Sequence, residues 1–121
     1  MTTLTIIANF CVAIVSVLHA GFLFLEMFLW DKPFGLRTFG LKQEFATASK
    51  SLAANQGLYN GFLAAGLAWG LSLGSAGAAI KLFFLGCVVV AGVFGGITVK
   101  REILLFQAIP GAIALALMLL S

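Results

Sequence analysis

Two ionisable side chains, His19 and Glu26, lie inside the first apolar segment of the chain, and Ser16 precedes them. Separations of three and seven residues keep all three on one helical face. His19 comes 11 residues before Trp30, roughly 16 Å along a helix at 1.5 Å per residue, which puts the imidazole near the middle of a bilayer. His19 and Glu26 are therefore the candidate catalytic residues, as a proton-handling pair, and no other catalytic role is assigned.

Further polar side chains fall in later apolar segments, where they would orient a ligand by hydrogen bonds. A single Asn or Gln in a membrane helix more often hydrogen-bonds to a neighbouring helix than to a ligand. A single buried histidine more often hydrogen-bonds to a hydroxyl or a backbone carbonyl of the protein. Packing alone gives no reason for polar groups of several helices to share one half of the membrane, so the set predicts a polar pocket. The predicted ligand-binding residues are His19, Glu26, Glu44, Asn55, Gln56, Tyr59, Asn60 and Gln107.

Motifs of the better-known enzyme classes are absent. The chain has no Walker or GxGxxG loop before a helix, no HExxH and no nucleophile with a local signature. Cys11 and Cys87 fall in apolar stretches without a CxxC partner, so both are interpreted as small buried hydrophobes. The sequence therefore predicts no metal site and no cofactor, and it does not decide whether a reaction is catalysed.

The composition indicates whether the protein is surrounded by water or by lipid. Of 121 residues, 62% are hydrophobic and 9% charged, and the mean hydropathy is +1.14. A soluble domain carries roughly a quarter charged residues, so this chain could not cover a water-facing surface. The same figures exclude a disordered chain, a nucleic-acid-binding module and a disulfide-stapled miniprotein, and they predict an integral membrane protein whose surroundings are membrane lipid.

Four apolar segments organise the chain. They predict helices at about 4–30, 42–73, 76–99 and 103–120, each near the roughly 20 residues that cross a hydrocarbon core. In lipid, the backbone N–H and C=O groups must form their hydrogen bonds within each segment, which requires helices rather than open strands. The predicted fold is an all-α, integral membrane four-helix bundle, with one transmembrane domain over 1–121.

Basic residues set the predicted orientation in the cell membrane. The first and third loops carry six of the seven, and the other side has Lys81. The positive-inside rule places both basic loops in the cytoplasm and both termini outside. Glycines at a spacing of four, including Gly57 with Gly61 and Gly92 with Gly96, allow close helix packing, and we expect a homo-oligomer.

Two resemblances follow from the motifs. LEMFLW at 25–30, LAANQGLYNGFLAAG at 52–66, and the segments 92–100 and 107–110 resemble domain-of-unknown-function family 1304, small bacterial membrane proteins. Asn55 and Tyr59 are similar in spacing to a motif of the membrane-associated proteins in eicosanoid and glutathione metabolism, although Ser51 and Leu58 replace its arginine and glutamate. The second resemblance implies a trimer of four-helix subunits with a cytoplasm-facing site.

Three functions are consistent with the sequence. The first is binding of a small amphipathic molecule in a polar pocket in the cytoplasmic half of the bundle. The second is proton-coupled transport by an oligomer, suggested by the deep His19, although the outer half offers few polar groups. The third is a structural membrane assembly protein, in which the polar cluster only fixes helix register.

Overall fold

The computed structural model describes all 121 residues, is 88% helical and has five α-helices and no strands. The all-α class predicted from the apolar segments is confirmed. A 3₁₀ turn, Gly74–Gly77, precedes α4, and a π-helical stretch, Leu104–Ala108, precedes α5. The helices are α1 (Thr3–Phe28), α2 (Pro33–Phe39), α3 (Gln43–Ser72), α4 (Ala78–Thr98) and α5 (Ile109–Leu120).

Two helical segments are long and apolar enough to cross a membrane. They are Thr3–Phe28, with a hydropathy of 2.2, and Gly74–Thr98, with a hydropathy of 2.3. Leu104–Leu120 is apolar but shorter. The helix α3 has the length but begins with polar and charged side chains such as Glu44 and Lys50. By length and composition alone, two helical segments could cross a membrane, and the four-helix bundle stays a prediction.

A seven-residue helix, α2, lies in the polar stretch where the sequence predicts a loop. Pro33 occupies its first turn, where the fixed φ of proline suits a helix and its missing N–H costs no hydrogen bond. Gly40 ends α2 at φ 64°, a left-handed conformation that glycine adopts without strain. The Lys32-Pro33-Phe34-Gly35 signal thus begins a helix.

The chain divides into two compact units. The first unit comprises residues 1–17 and 63–121, and the second comprises residues 18–62. Fully or nearly fully buried apolar side chains form the core of the first unit: Val12, Val15, Leu67, Leu85, Val88 and Ala114. In lipid such a core is stabilised mainly by close packing.

Glycines let the backbones of the first unit approach closely. Gly77 packs directly on the backbone of Gly70, where a Cβ would overlap the Gly70 carbonyl. A Cβ at Gly92 would lie 2.6 Å from the backbone nitrogen of Ala108. These contacts account for two of the glycine-rich stretches by packing within one chain.

Candidate functional site

The candidate site is centred on a hydrogen bond in the second unit. Asn60 of α3 donates through Nδ2 to the Glu26 carboxylate of α1, at 2.5 Å. Gly57, one turn before Asn60, brings the two helices together, since a Cβ there would lie 2.8 Å from the Met27 side chain and 3.1 Å from the Leu23 carbonyl oxygen. The glycine therefore positions the amide opposite the carboxylate.

The Glu26 carboxylate keeps hydrogen-bonding capacity. Its donor is a neutral amide rather than a lysine or arginine, and an ionised carboxylate offers about four lone-pair sites. Asn60 is buried, at 6% exposed, whereas Glu26 is half-buried. The pair thus presents acceptor sites that a further donor could occupy.

His19 is fully buried two turns before Glu26 on α1. Its ring packs edge-on against Phe22, with 5.2 Å between the ring centres. The seven-residue separation places the Cα atoms of His19 and Glu26 roughly 10 Å apart along the helix at 1.5 Å per residue. Both side chains therefore belong to the second unit, at different depths.

The remaining predicted site residues are spread more widely. Gln56 is exposed one turn before Asn60 and on the same side of α3. Asn55 and Tyr59 are exposed on the side of α3 opposite Gly57, and Glu44 is exposed near the start of the helix. Gln107 belongs to the first unit, where it donates to the Val88 carbonyl at 3.4 Å. Of the predicted site residues, the structure thus brings Glu26 and Asn60 into contact.

Polar contacts at the end of α1 support this site within the second unit. Trp30 donates through Nε1 to Ser49 Oγ at 3.0 Å, and its ring packs on Phe39 with 4.9 Å between centres. Lys50 Nζ lies 3.0 Å from Asp31 Oδ2. These contacts link the end of α1 to α2 and to the start of α3.

The Asp31→Asn variant tests the ion pair with Lys50. The hydrogen bond from Lys50 lowers the pKa of Asp31 from its usual 3.8. Because the pKa is lower in the folded state, the stabilisation is present above about pH 4 and is lost as the pH falls through the lowered value. We expect the variant to unfold at a lower temperature than wild type at pH 7, with the difference closing at acidic pH. A difference that stays constant down to pH 2 would contradict the ion pair.

A second polar pair, in the first unit, was not predicted as a site. Lys81 of α4 is 3% exposed and donates through Nζ to Asn9 Oδ1 of α1 at 2.8 Å. Gly70 leaves room for the lysine stem, since a Cβ there would lie 2.6 Å from Lys81 Cγ. The signal in the sequence was a basic residue inside an apolar segment, which marks a structural or functional contact.

Asn9→Leu is expected to destabilise the protein by about 2 kcal/mol, because it leaves a buried ammonium without its acceptor. The double variant Asn9→Leu/Lys81→Met should recover most of this loss, since an apolar pair needs no hydrogen bond. Thermal unfolding of wild type, both single variants and the double variant in detergent measures the coupling. Additive effects would mean that the two side chains do not interact.

An apolar groove of about 200 Å³ also lies in the first unit. None of the predicted site residues lines it, and it offers nothing for a polar group. It is lined by Cys11, Ile14, Val15, Pro110 and Ile113.

The comparisons with known proteins identify a family. Residues 13–119 match the model described as "Protein of unknown function (DUF1304)". The chain is 31% identical over 109 residues to the uncharacterised protein YpaA of Lactococcus lactis subsp. lactis strain IL1403, covering 88% of this chain and 89% of that protein. No solved structure matches it, and the likeness to the eicosanoid and glutathione proteins stays a prediction. Because the family match extends over α2 to α4 and most of α1 and α5, the chain belongs to the DUF1304 family.

Proposed function

We propose that this chain is a multi-pass protein of the cell membrane that binds a small amphipathic molecule through Glu26 and Asn60. The observation that carries the proposal is a half-buried carboxylate, on a helix long and apolar enough to cross a membrane, whose hydrogen-bond donor is a neutral amide. Ionisable groups at such positions are costly and commonly functional.

The proposed topology has four crossings, with both termini outside and the basic loops in the cytoplasm. Two apolar segments support it by length, and the basic residues at 32–50 and 100–101 support the orientation. Trp30 and the exposed Trp69 lie near opposite ends of the proposed crossings, where aromatic side chains favour the membrane interfaces. Glu26 and Asn60 then lie in the cytoplasmic half.

The proposed ligand has an apolar tail and a headgroup that donates hydrogen bonds, such as an amine. An ammonium would supply the charge that the Asn60 amide lacks, and a carboxylate binds charged donors about twice as strongly as neutral ones. Gln56, exposed one turn before Asn60, would contact the headgroup, and His19 would exchange a proton deeper along α1.

Binding of dodecylamine to the purified protein in nonionic detergent tests this proposal. We expect Glu26→Gln to weaken binding at least tenfold, because it removes the charge while keeping the size. Glu102→Gln makes the same change at an exposed carboxylate outside the predicted site and should leave binding unaltered. Dodecanoic acid serves as the probe of opposite charge and should bind less well. Equal binding by wild type and Glu26→Gln would refute the proposal.

The structural assembly function is the second candidate. It is favoured by the pairing of polar groups among themselves, Glu26 with Asn60 and Lys81 with Asn9. It requires that Glu26→Gln change stability while no small molecule binds. Proton-coupled transport stays a further prediction, and pH-driven solute flux in proteoliposomes would test it.

A further inference from the structure

The short helix α2 has one face against the protein and another turned outward. Gly35 is buried, and its backbone packs on the carbonyl of Leu29, the first residue after α1. Phe34, Arg37 and Thr38 are three and four residues apart, so they share a different face of the helix. All three are exposed. We call these three residues the outer face of α2, and no other helix of the second unit covers it.

The outer face lies in a positively charged part of the chain. The four basic residues from 31 to 50 outnumber the two acidic residues. One of these acids, Asp31, is already paired with Lys50 at 3.0 Å. Lys32, Arg37 and Lys42 are exposed and form no ion pair in the structure. Their charges are therefore available to an anionic surface.

The position of α2 directly after α1 indicates which surface it meets. Thr3–Phe28 is one of the two segments long and apolar enough to cross a membrane, and α2 begins five residues after it ends. Five residues reach at most about 18 Å, and Gly35 contacts the chain just beyond α1. Where α1 crosses, α2 therefore lies at the level of the lipid headgroups.

The residue types of the outer face suit this layer. Helices that lie in the membrane interface combine basic side chains, which meet the phosphates, with aromatic rings that enter the acyl boundary. Phe34 is 52% exposed and lies one turn from Arg37, whose guanidinium can donate two parallel hydrogen bonds to a phosphate. An acidic soluble protein would match the charges but would leave no reason for the exposed ring.

We infer that the outer face of α2, together with Lys32 and Lys42, binds the headgroups of anionic phospholipids. The inference rests on the proposed crossing of α1. It describes a second site of opposite charge preference, because the Glu26 carboxylate would take a cation and this surface takes an anion.

Native mass spectrometry of the full chain, titrated with dioleoylphosphatidylglycerol in nonionic detergent, tests the site. Wild type should bind this lipid at least tenfold more tightly than dioleoylphosphatidylcholine. Arg37→Gln should weaken phosphatidylglycerol binding about fivefold, and Lys32→Gln/Arg37→Gln/Lys42→Gln at least twentyfold, since each basic side chain near an anionic surface contributes roughly a fivefold change. Arg101→Gln, the matched control at an exposed arginine followed by Glu102, should change binding less than twofold. Equal binding of both lipids by wild type, or equal losses in Arg37→Gln and Arg101→Gln, would overturn the inference.

Spin-label depth measurements in nanodiscs of phosphatidylglycerol and phosphatidylcholine locate the outer face. In a Cys11→Ala/Cys87→Ala background, a label on Thr38→Cys should lie in the headgroup layer, as judged by its access to oxygen and to a water-soluble nickel chelate. A label on Val17→Cys, at a position 71% exposed on α1, should lie in the hydrocarbon and is the reference. A label at position 38 that lies in water would overturn the inference in favour of a soluble acidic partner. A label at position 17 that lies in water would overturn it together with the crossing of α1.

The proposed function and the lipid site fail separately. The triple variant at 32, 37 and 42 keeps Glu26 and Asn60, so it should bind dodecylamine as wild type does. Dodecylamine binding by a protein with no preference for phosphatidylglycerol would overturn the lipid site alone. A preference for phosphatidylglycerol in a protein that binds no dodecylamine would overturn the proposed function alone.

Discussion

Gly77→Ala is expected to destabilise the folded protein by about 3 kcal/mol or to prevent its accumulation in membranes. Gly77 ends the 3₁₀ turn before α4 and packs on the backbone of Gly70 near the end of α3. A methyl group at Gly77 would overlap the Gly70 carbonyl, and a backbone atom cannot rotate aside as a side chain can. The two helices would have to separate, which would also disturb the nearby Lys81. Thermal unfolding in detergent and the yield of folded protein measure the effect.

Gly86→Ala is the matched control because it makes the same change on α4. A Cβ at Gly86 meets no atom within 4 Å, and alanine is favoured over glycine in a helix by roughly 0.5–1 kcal/mol. We therefore expect Gly86→Ala to be neutral or slightly stabilising. If both variants unfold at the same temperature as wild type, the close approach of Gly70 and Gly77 does not exist in the protein.

The sequence was sufficient for the helical class because hydrophobicity and segment length are local properties. The helices α1 and α4 follow from long apolar runs, and the 30-residue α3 extends beyond its apolar portion into the polar start. The helix α2 was missed because proline and glycine within four residues suggest a turn. Pro33 in the first turn and Gly40 at the end instead bound a short helix, and the backbone of Gly35 packs on the Leu29 carbonyl.

The candidate site was predictable as a set of residue types but not as contacts. Periodicity places His19 and Glu26 on one face of α1, yet it carries no information about which residue of α3 lies opposite. Asn60 lies 34 residues from Glu26, and the register between their helices depends on the space left at Gly57. The same holds for Lys81 and Asn9, which are 72 residues apart.

Asn60→Leu is expected to lower the free energy of unfolding by about 2 kcal/mol, because the half-buried Glu26 carboxylate loses its donor. Glu26→Gln should cost less, since the amide that replaces the carboxylate can still accept from Asn60. Thermal unfolding in detergent without dodecylamine shows which of the two variants loses more stability. Gln56→Leu, which makes the same change at the exposed amide one turn earlier, should alter stability little. Equal effects of Asn60→Leu and Gln56→Leu would mean that Asn60 does not contact Glu26.

The double variant Glu26→Leu/Asn60→Leu separates a stabilising role of this pair from a binding role. Two apolar side chains in contact need no hydrogen bond, so much of the stability lost in Asn60→Leu should return. Dodecylamine binding should not return, because the carboxylate is gone. Recovery of stability without recovery of binding would mean that an apolar pair could hold α1 against α3, and that the carboxylate serves the ligand. If stability stays low in the double variant, the Glu26 and Asn60 hydrogen bond is itself the structural contact, and the assembly function is favoured instead.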